Sequence, residues 1–148
     1  NVRYVAEDVY TKWTRRLTPQ RGDIIFTREA PAGEAGIIES DDLAFLGQRT
    51  MHFRPDLSVI DSSFLLHELM GASIKDQIRR LSSGSTVVHL SVPECKKFQV
   101  RTPPLELQKR FGEIRKRILS TLTKYDAAAT DQEQAFNSLS QKAFSGNL

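Results

Sequence analysis

Residues Pro103–Leu148 read PPLELQKRFGEIRKRILSTLTKYDAAATDQEQAFNSLSQKAFSGNL. After Pro103-Pro104 the stretch holds no further proline, and Gly112 is its only glycine before Gly146. Leu107, Phe111, Ile114, Ile118, Leu122, Tyr125 and Ala129 recur every three or four residues; Phe136, Leu139 and Ala143 resume the phase after the polar Gln132-Glu133. That spacing predicts one apolar stripe along one helix over Leu105–Phe144. The run Ala127-Ala128-Ala129 favours continuity, because alanine is the best helix former. At ~1.5 Å per residue such a helix is about 60 Å long, roughly twice the width of a small domain, and is expected to project.

A compact body of about 100 residues cannot cover that stripe along its whole length, so a second helix is expected against it. The pairing candidates are Phe111, Ile114, Ile118, Leu122, Tyr125, Phe136 and Leu139. The alternative is a break near Asp126–Thr130, folding the stretch back as a hairpin.

The chain has 148 residues, 39 % of them hydrophobic. One modest core is within reach of such a chain. The expected organisation is a globular domain over residues 1–102 followed by the helix over 103–148. The chain opens at Asn1 without an initiator Met, a signal-peptide pattern or an apolar run of membrane length, and is expected to be an excised piece of a longer cytoplasmic protein. A single cysteine, Cys95, excludes an internal disulfide, and with three scattered histidines leaves no zinc-site spacing. A net charge of +3 does not by itself indicate nucleic acid, so the distribution of charge must carry that argument.

In chain order, Ala6–Arg16 predicts a short amphipathic helix with Val9 and Trp13 inward. Between Asp8 and Asp23 stand Lys12, Arg15, Arg16 and Arg21 with no acid, a basic concentration suited either to a solvated face or to phosphates. Ile24–Thr27 predicts a buried strand after the Gly22-Asp23 turn, and Pro31–Gly36 a loop into a second strand at Ile37-Ile38. Gly33 and Gly36 are too close for a phosphate-gripping Walker loop, and its Lys-Ser/Thr is missing. A loop with Arg28 at its root is instead a candidate reading finger, since a guanidinium can take a guanine edge or a phosphate with two donors.

Alternation over Thr50–Arg54 turns Met51 and Phe53 to a core and Thr50, His52 and Arg54 outward, where Arg54 is a further DNA candidate. Gln48 and Arg49 stand at the entrance of that strand, and their side chains match adenine and guanine edges. Asp61–Met70 predicts a helix with Phe64, Leu65, Leu66 and Leu69 inward and His67 packed or half-buried. Gly71 ends it, and Ser73 can cap a second helix over Ile74–Leu81 whose outer face carries Lys75, Arg79 and Arg80. In the polar loop 82–86, Ser85 and Thr86 offer small donors for phosphate. Phe98–Thr102 predicts a last strand before the diproline.

These residues carry a family resemblance. Gly22-Asp23-Ile24-Ile25-Phe26-Thr27-Arg28-Glu29-Ala30-Pro31 through Gly33, Leu46-Gly47-Gln48-Arg49, Gly84-Ser85-Thr86 shortly before His89-Leu90, Pro103-Pro104-Leu105-Glu106 with Gln108, and Ser138-Leu139 followed by Gln141–Gly146 and Leu148 form five blocks in order. They resemble the specificity subunit of type I restriction-modification systems. Leu107, where that family commonly has a second Glu, and Asn147, where it usually has Glu, depart mildly from the pattern.

The resemblance implies a target recognition domain followed by a conserved spacer helix, reading one half of a split double-stranded DNA site. Two such halves pack their helices antiparallel, and the ending here resembles the second half. It also implies docking to methyltransferase (modification) subunits and, through them, to restriction subunits. S-adenosylmethionine, magnesium and ATP are expected only on those partners, and none on this chain. The sheet segment that the family carries upstream of Tyr4 is missing, so the recognition domain is expected to be incomplete at its N-terminus. Alternative readings are a magnesium-dependent nuclease built on Asp56, Glu94 and Lys96, and a coiled-coil adaptor without DNA contact. The expected fold class is α+β: a compact recognition domain of short strands and small helices, then one long helix. Its expected role is non-catalytic DNA reading, without a membrane.

Overall fold

The computed structural model describes residues 4–82 and 88–146. It is an α+β chain with the element order α1 (Glu7–Thr14), β1 (Ile24–Thr27), β2 (Ala35–Ile37), β3 (Thr50–Phe53), α2 (Ser62–Met70), α3 (Ala72–Leu81), α4 (Val92–Cys95) and α5 (Leu105–Phe144). The chain divides into two compact units, Asn1–Phe111 and Gly112–Leu148.

In the first unit, β1 is the middle strand of an antiparallel sheet ordered β2-β1-β3, with Ile24 opposite both Ile37 and Phe53. Its alternation buries Ile24 and Phe26 completely. Phe26 meets the edges of Phe53 and Phe98 at ring-centroid distances of 5.8 and 5.7 Å. Leu65, Leu66 and Leu69 of α2, Ile74 and Ile78 of α3, and Ile60, Leu90 and Cys95 complete this core.

Helix α2 starts where Asp61 caps it, its carboxylate accepting from the amides of Ser63 and Phe64. Gly71 ends α2 and directly precedes α3, so Ser73 lies inside α3 and does not cap it. His67 is exposed, its ring lying 4.8 Å from that of Phe111. Helix α1 buries no residue: Trp13 is 47 % exposed and leans on Phe45.

One predicted strand is corrected. Phe98–Thr102 forms no strand, because helix side chains take the place of a neighbouring strand. The Gln77 carboxamide accepts from the Gln99 amide at 3.0 Å and donates to its carbonyl at 2.8 Å, while Glu68 accepts from the Arg101 amide. Glu94 stands in the short helix α4. Ser91 and Glu94 form a capping box around α4, with the Glu94 carboxylate accepting from the Ser91 amide at 2.7 Å.

Helix α5 runs unbroken for 40 residues, which excludes the hairpin. At its start the fully buried Gln108 carboxamide accepts from the Asp61 amide at 2.9 Å and donates to the carbonyls of Val59 (3.1 Å) and Pro103 (2.6 Å). A buried amide with its bonding capacity so filled locks the helix entry to the segment preceding α2. In the second unit Ile118, Leu122, Tyr125, Phe136 and Leu139 are between 51 and 69 % exposed, and Ile114 is 49 % exposed. Among the described residues no helix is long and apolar enough to cross a membrane.

Candidate nucleic-acid interface

The candidate readers meet at one end of the sheet. Thr27, the last residue of β1, pairs with Thr50, the first of β3, so the loop after β1 and the turn before β3 leave the sheet side by side. The amide of Arg28 donates to the Arg49 carbonyl at 2.8 Å and carries the pairing one step further. A third segment joins them: Leu90 donates its amide to the Arg28 carbonyl at 3.0 Å, and Glu29 bridges His89.

The loop is held tightly. The Thr27 hydroxyl donates to the Pro31 carbonyl at 2.6 Å and accepts from the Glu34 amide at 3.0 Å, and the Gly33 amide reaches the Thr27 carbonyl at 2.9 Å. Gly33 has φ of 95°, and a Cβ there would stand 3.0 Å from Cδ1 of Ile78, so glycine lets the loop close onto α3.

The side chains brought together play different parts. Arg28 is turned to its own chain: one terminal nitrogen donates to the Leu90 carbonyl at 2.9 Å and the other to the Gln48 carbonyl. The expected finger is thus a brace between the three segments. Gln48 and Arg49 are exposed, with the Arg49 side chain 72 % accessible and its Nε 3.6 Å from Glu29.

His52 does not face out as the alternation predicts, and the exposed Arg54 is engaged by its own chain. Arg54 lies along the buried Asp23 carboxylate, Nε donating to Oδ1 at 2.9 Å and a terminal nitrogen to Oδ2 at 2.8 Å, with another bond to the Thr18 carbonyl. His52, its side chain 10 % exposed, sits 3.8 Å from the same carboxylate. Burial alone would push the Asp23 carboxyl up, but the Arg54 bonds and the Gln20 amide outweigh it and hold it below the usual range. Burial likewise holds the His52 imidazole below its ordinary value, against the pull of Asp23.

The remaining cations form two helical groups. Lys12, Arg15 and Arg16 are exposed on and just after α1, and Lys75, Arg79 and Arg80 on α3, where Arg79 pairs with Asp76 at 2.9 Å. Beside α3 lies a concavity of about 580 Å³, whose lining includes Arg80, Lys97, Arg101 and Asp76. Ser85 and Thr86 lie outside the described residues.

Sequence reasoning passed over the acids that organise these cations. Glu68, 2 % exposed, takes the Arg101 guanidinium at 2.6 to 3.1 Å. These bonds hold its carboxyl below the usual range against burial. Its place among Leu65, Leu66 and Leu69 on the inner face of α2 was the available signal, since an acid there requires a partner. The supposed nuclease carboxylates are engaged locally, Asp56 by the amide and hydroxyl of Ser58 and Glu94 by its capping box. Among the described residues no group of three or more His, Cys, Asp or Glu could hold a metal ion.

Residues 10–138 match the family described as the type I restriction modification DNA specificity domain. The chain belongs to this family. It is 30 % identical over 122 residues to the type I restriction enzyme MjaVIII specificity subunit of Methanocaldococcus jannaschii, a match covering 79 % of this chain and 28 % of that protein. Its fold resembles, with a TM-score of 0.66 at 17 % identity, a chain from a solved structure titled as the structural basis of complex assembly and conformational transition of the type I R-M system. That likeness covers 86 % of this chain and 34 % of the other. The chain thus spans about a third or less of the proteins it matches. The specificity family is the non-catalytic, DNA-recognising component of type I systems, which leaves the nuclease reading without support.

Proposed function

We propose that this specificity domain reads one half of a bipartite double-stranded DNA sequence, with the end of the sheet that carries Gln48 and Arg49 toward the major groove. The observation carrying this reading is the exposure of those two side chains on a turn braced by Arg28 and continued from β3. Arg and Gln are the side chains whose paired groups match guanine and adenine edges in that groove. Lys12, Arg15, Arg16, Lys75, Arg79 and Arg80, with Ser85 and Thr86, are assigned to phosphates, which fix register without reading sequence. Arg28 is assigned to support of the reading surface, and Arg54 to support of the fold at the other end of the sheet.

Helix α5 serves as the spacer. Its face of Phe111, Ile114, Ile118, Leu122, Tyr125, Phe136 and Leu139 pairs with the helix of a second recognition half, or with a second copy of this chain. It also docks methyltransferase subunits, which hold S-adenosylmethionine, and through them the restriction subunits that use magnesium and ATP. The half or more exposed side chains of Ile118, Leu122 and Tyr125 support this, since an apolar ridge of that size is usually covered. No cofactor is assigned to this chain, and the assembly is placed in the cytoplasm.

The test is selection from random duplexes by the complete specificity subunit assembled with its methyltransferase subunits. One half of the recovered consensus should change when this domain is exchanged for another. A consensus indifferent to the exchange would refute the assignment.

A further inference from the structure

The loop after β1 carries an acid that the reading above leaves without a role. Glu29 sits between the two segments that flank it: Oε2 accepts from Nδ1 of His89 at 2.8 Å, and Oε1 lies 3.6 Å from Nε of Arg49. The Glu29 side chain is 27 % exposed, whereas those of Arg49 and His89 are 72 and 60 % exposed. A largely covered anion therefore stands between two solvent-facing basic side chains, hydrogen-bonded to one and ion-paired with the other.

A carboxylate beside DNA opposes the phosphates, so in a binding surface it requires compensation. Here the compensation is local: the hydrogen bond from His89, and the charges of Arg49 and Arg28, all favour the ionised acid. The contact with Arg49 engages Nε, the inner nitrogen, while a guanine edge is met by two donors of the guanidinium fork. A long side chain free in solvent must be ordered when it binds, and an anchor set beforehand removes part of that cost.

We propose that Glu29 is a positioning residue for base recognition, holding Arg49, with His89 on its other side, before DNA arrives. The proposal rests on the reading of Arg49 as a base reader, and Glu29 acts through it without touching a base.

The test uses the complete specificity subunit assembled with its methyltransferase subunits, one duplex selected by that complex from a random pool, and a scrambled duplex. Glu29→Gln should weaken the selected duplex about 2- to 10-fold, the range for losing one pre-ordered side chain. The scrambled duplex should bind equally well or more tightly, because a negative charge near phosphate is gone. In an Arg49→Ala background the same substitution should weaken the selected duplex no further, and should act on it as on the scrambled one. Parallel weakening of both duplexes with a lowered melting temperature would mark Glu29 as merely structural and overturn the proposal. Losses that multiply in the double variant would mean direct contact with a base, and would also overturn it. If Arg49→Ala alone weakens both duplexes equally, the base-reading assignment of Arg49 fails, and this proposal falls with it.

Discussion

Arg54 and Asp23 form a two-pronged ion pair, with N–O distances of 2.8 and 2.9 Å, just beyond the Ile24–Phe53 end of the β1–β3 pairing. Asp23 is 2 % exposed and the Arg54 side chain 35 % exposed, so removing the arginine strands a buried carboxylate. Discounted for the partial exposure of Arg54, Arg54→Ala should destabilise the domain by about 1 to 3 kcal/mol in urea unfolding. DNA affinity per folded molecule should change less than tenfold, roughly the 1.4 kcal/mol step. A fully stable variant with abolished DNA binding would return Arg54 to the DNA surface.

Gln108 makes a comparable claim at the entry of α5. Gln108→Leu keeps the volume but leaves the Asp61 amide and the carbonyls of Val59 and Pro103 without their partner. A loss of at least about 2 kcal/mol is expected, since each polar group left unpaired away from water costs roughly 1 to 3. Amide exchange at Asp61 should accelerate in parallel. An unchanged unfolding midpoint would contradict the locking role.

Acidification should act in two stages. The His52 pKa is depressed by burial, so the unfolded chain takes up that proton first, and the contribution to stability is lost as pH falls below about 6.5 toward the depressed value. Asp23 and Glu68 have lowered carboxyl values, so their contribution is present above the ordinary carboxylate range and disappears as pH falls through the depressed values, below about 4. Urea midpoints measured across this range should decline mildly, then steeply, and His52→Gln should remove the first decline. Persistence of the first decline in that variant would assign it elsewhere.

The long helix was legible because its signal is local and repeated: apolar residues at helical spacing, alanines in the middle, and a diproline that stops whatever precedes it. Strand β1 is legible as the short apolar run Ile24–Thr27 after the Gly22-Asp23 turn. Phe98–Thr102 misleads for a physical reason, since a following diproline disfavours helix before it but does not say what pairs with the segment, and Gln77 and Glu68 do so from helices. The engagement of Arg28, His52 and Arg54 by their own chain is not legible, because a partner distant in sequence, such as Asp23 or the Leu90 carbonyl, is a tertiary fact. The Ser91–Glu94 capping box was present in the sequence and went unread. The functional class came from five ordered blocks of family resemblance, not from any single side chain.

Ile118→Asp and Leu122→Asp test the apolar face of α5. Both side chains are at least half exposed, so the helix should keep its circular dichroism signal. Burying an aliphatic side chain contributes about 1.5 to 3 kcal/mol, so each substitution should weaken helix pairing at least about tenfold. Sedimentation of the complete subunit with its methyltransferase partners reads this out. Equal assembly of wild type and both variants would remove the pairing role.

The most direct test of the DNA-reading account compares wild type, Gln48→Ala, Arg49→Ala and Lys75→Ala in the assembled methyltransferase, on the duplex it selects and on a scrambled one. Loss of Gln48 or Arg49 is expected to cost about 1 to 3 kcal/mol on the selected duplex alone. Loss of Lys75 is expected to weaken both duplexes alike and to reduce the salt slope by about 1. Equal losses on both duplexes for Gln48→Ala and Arg49→Ala would contradict the account.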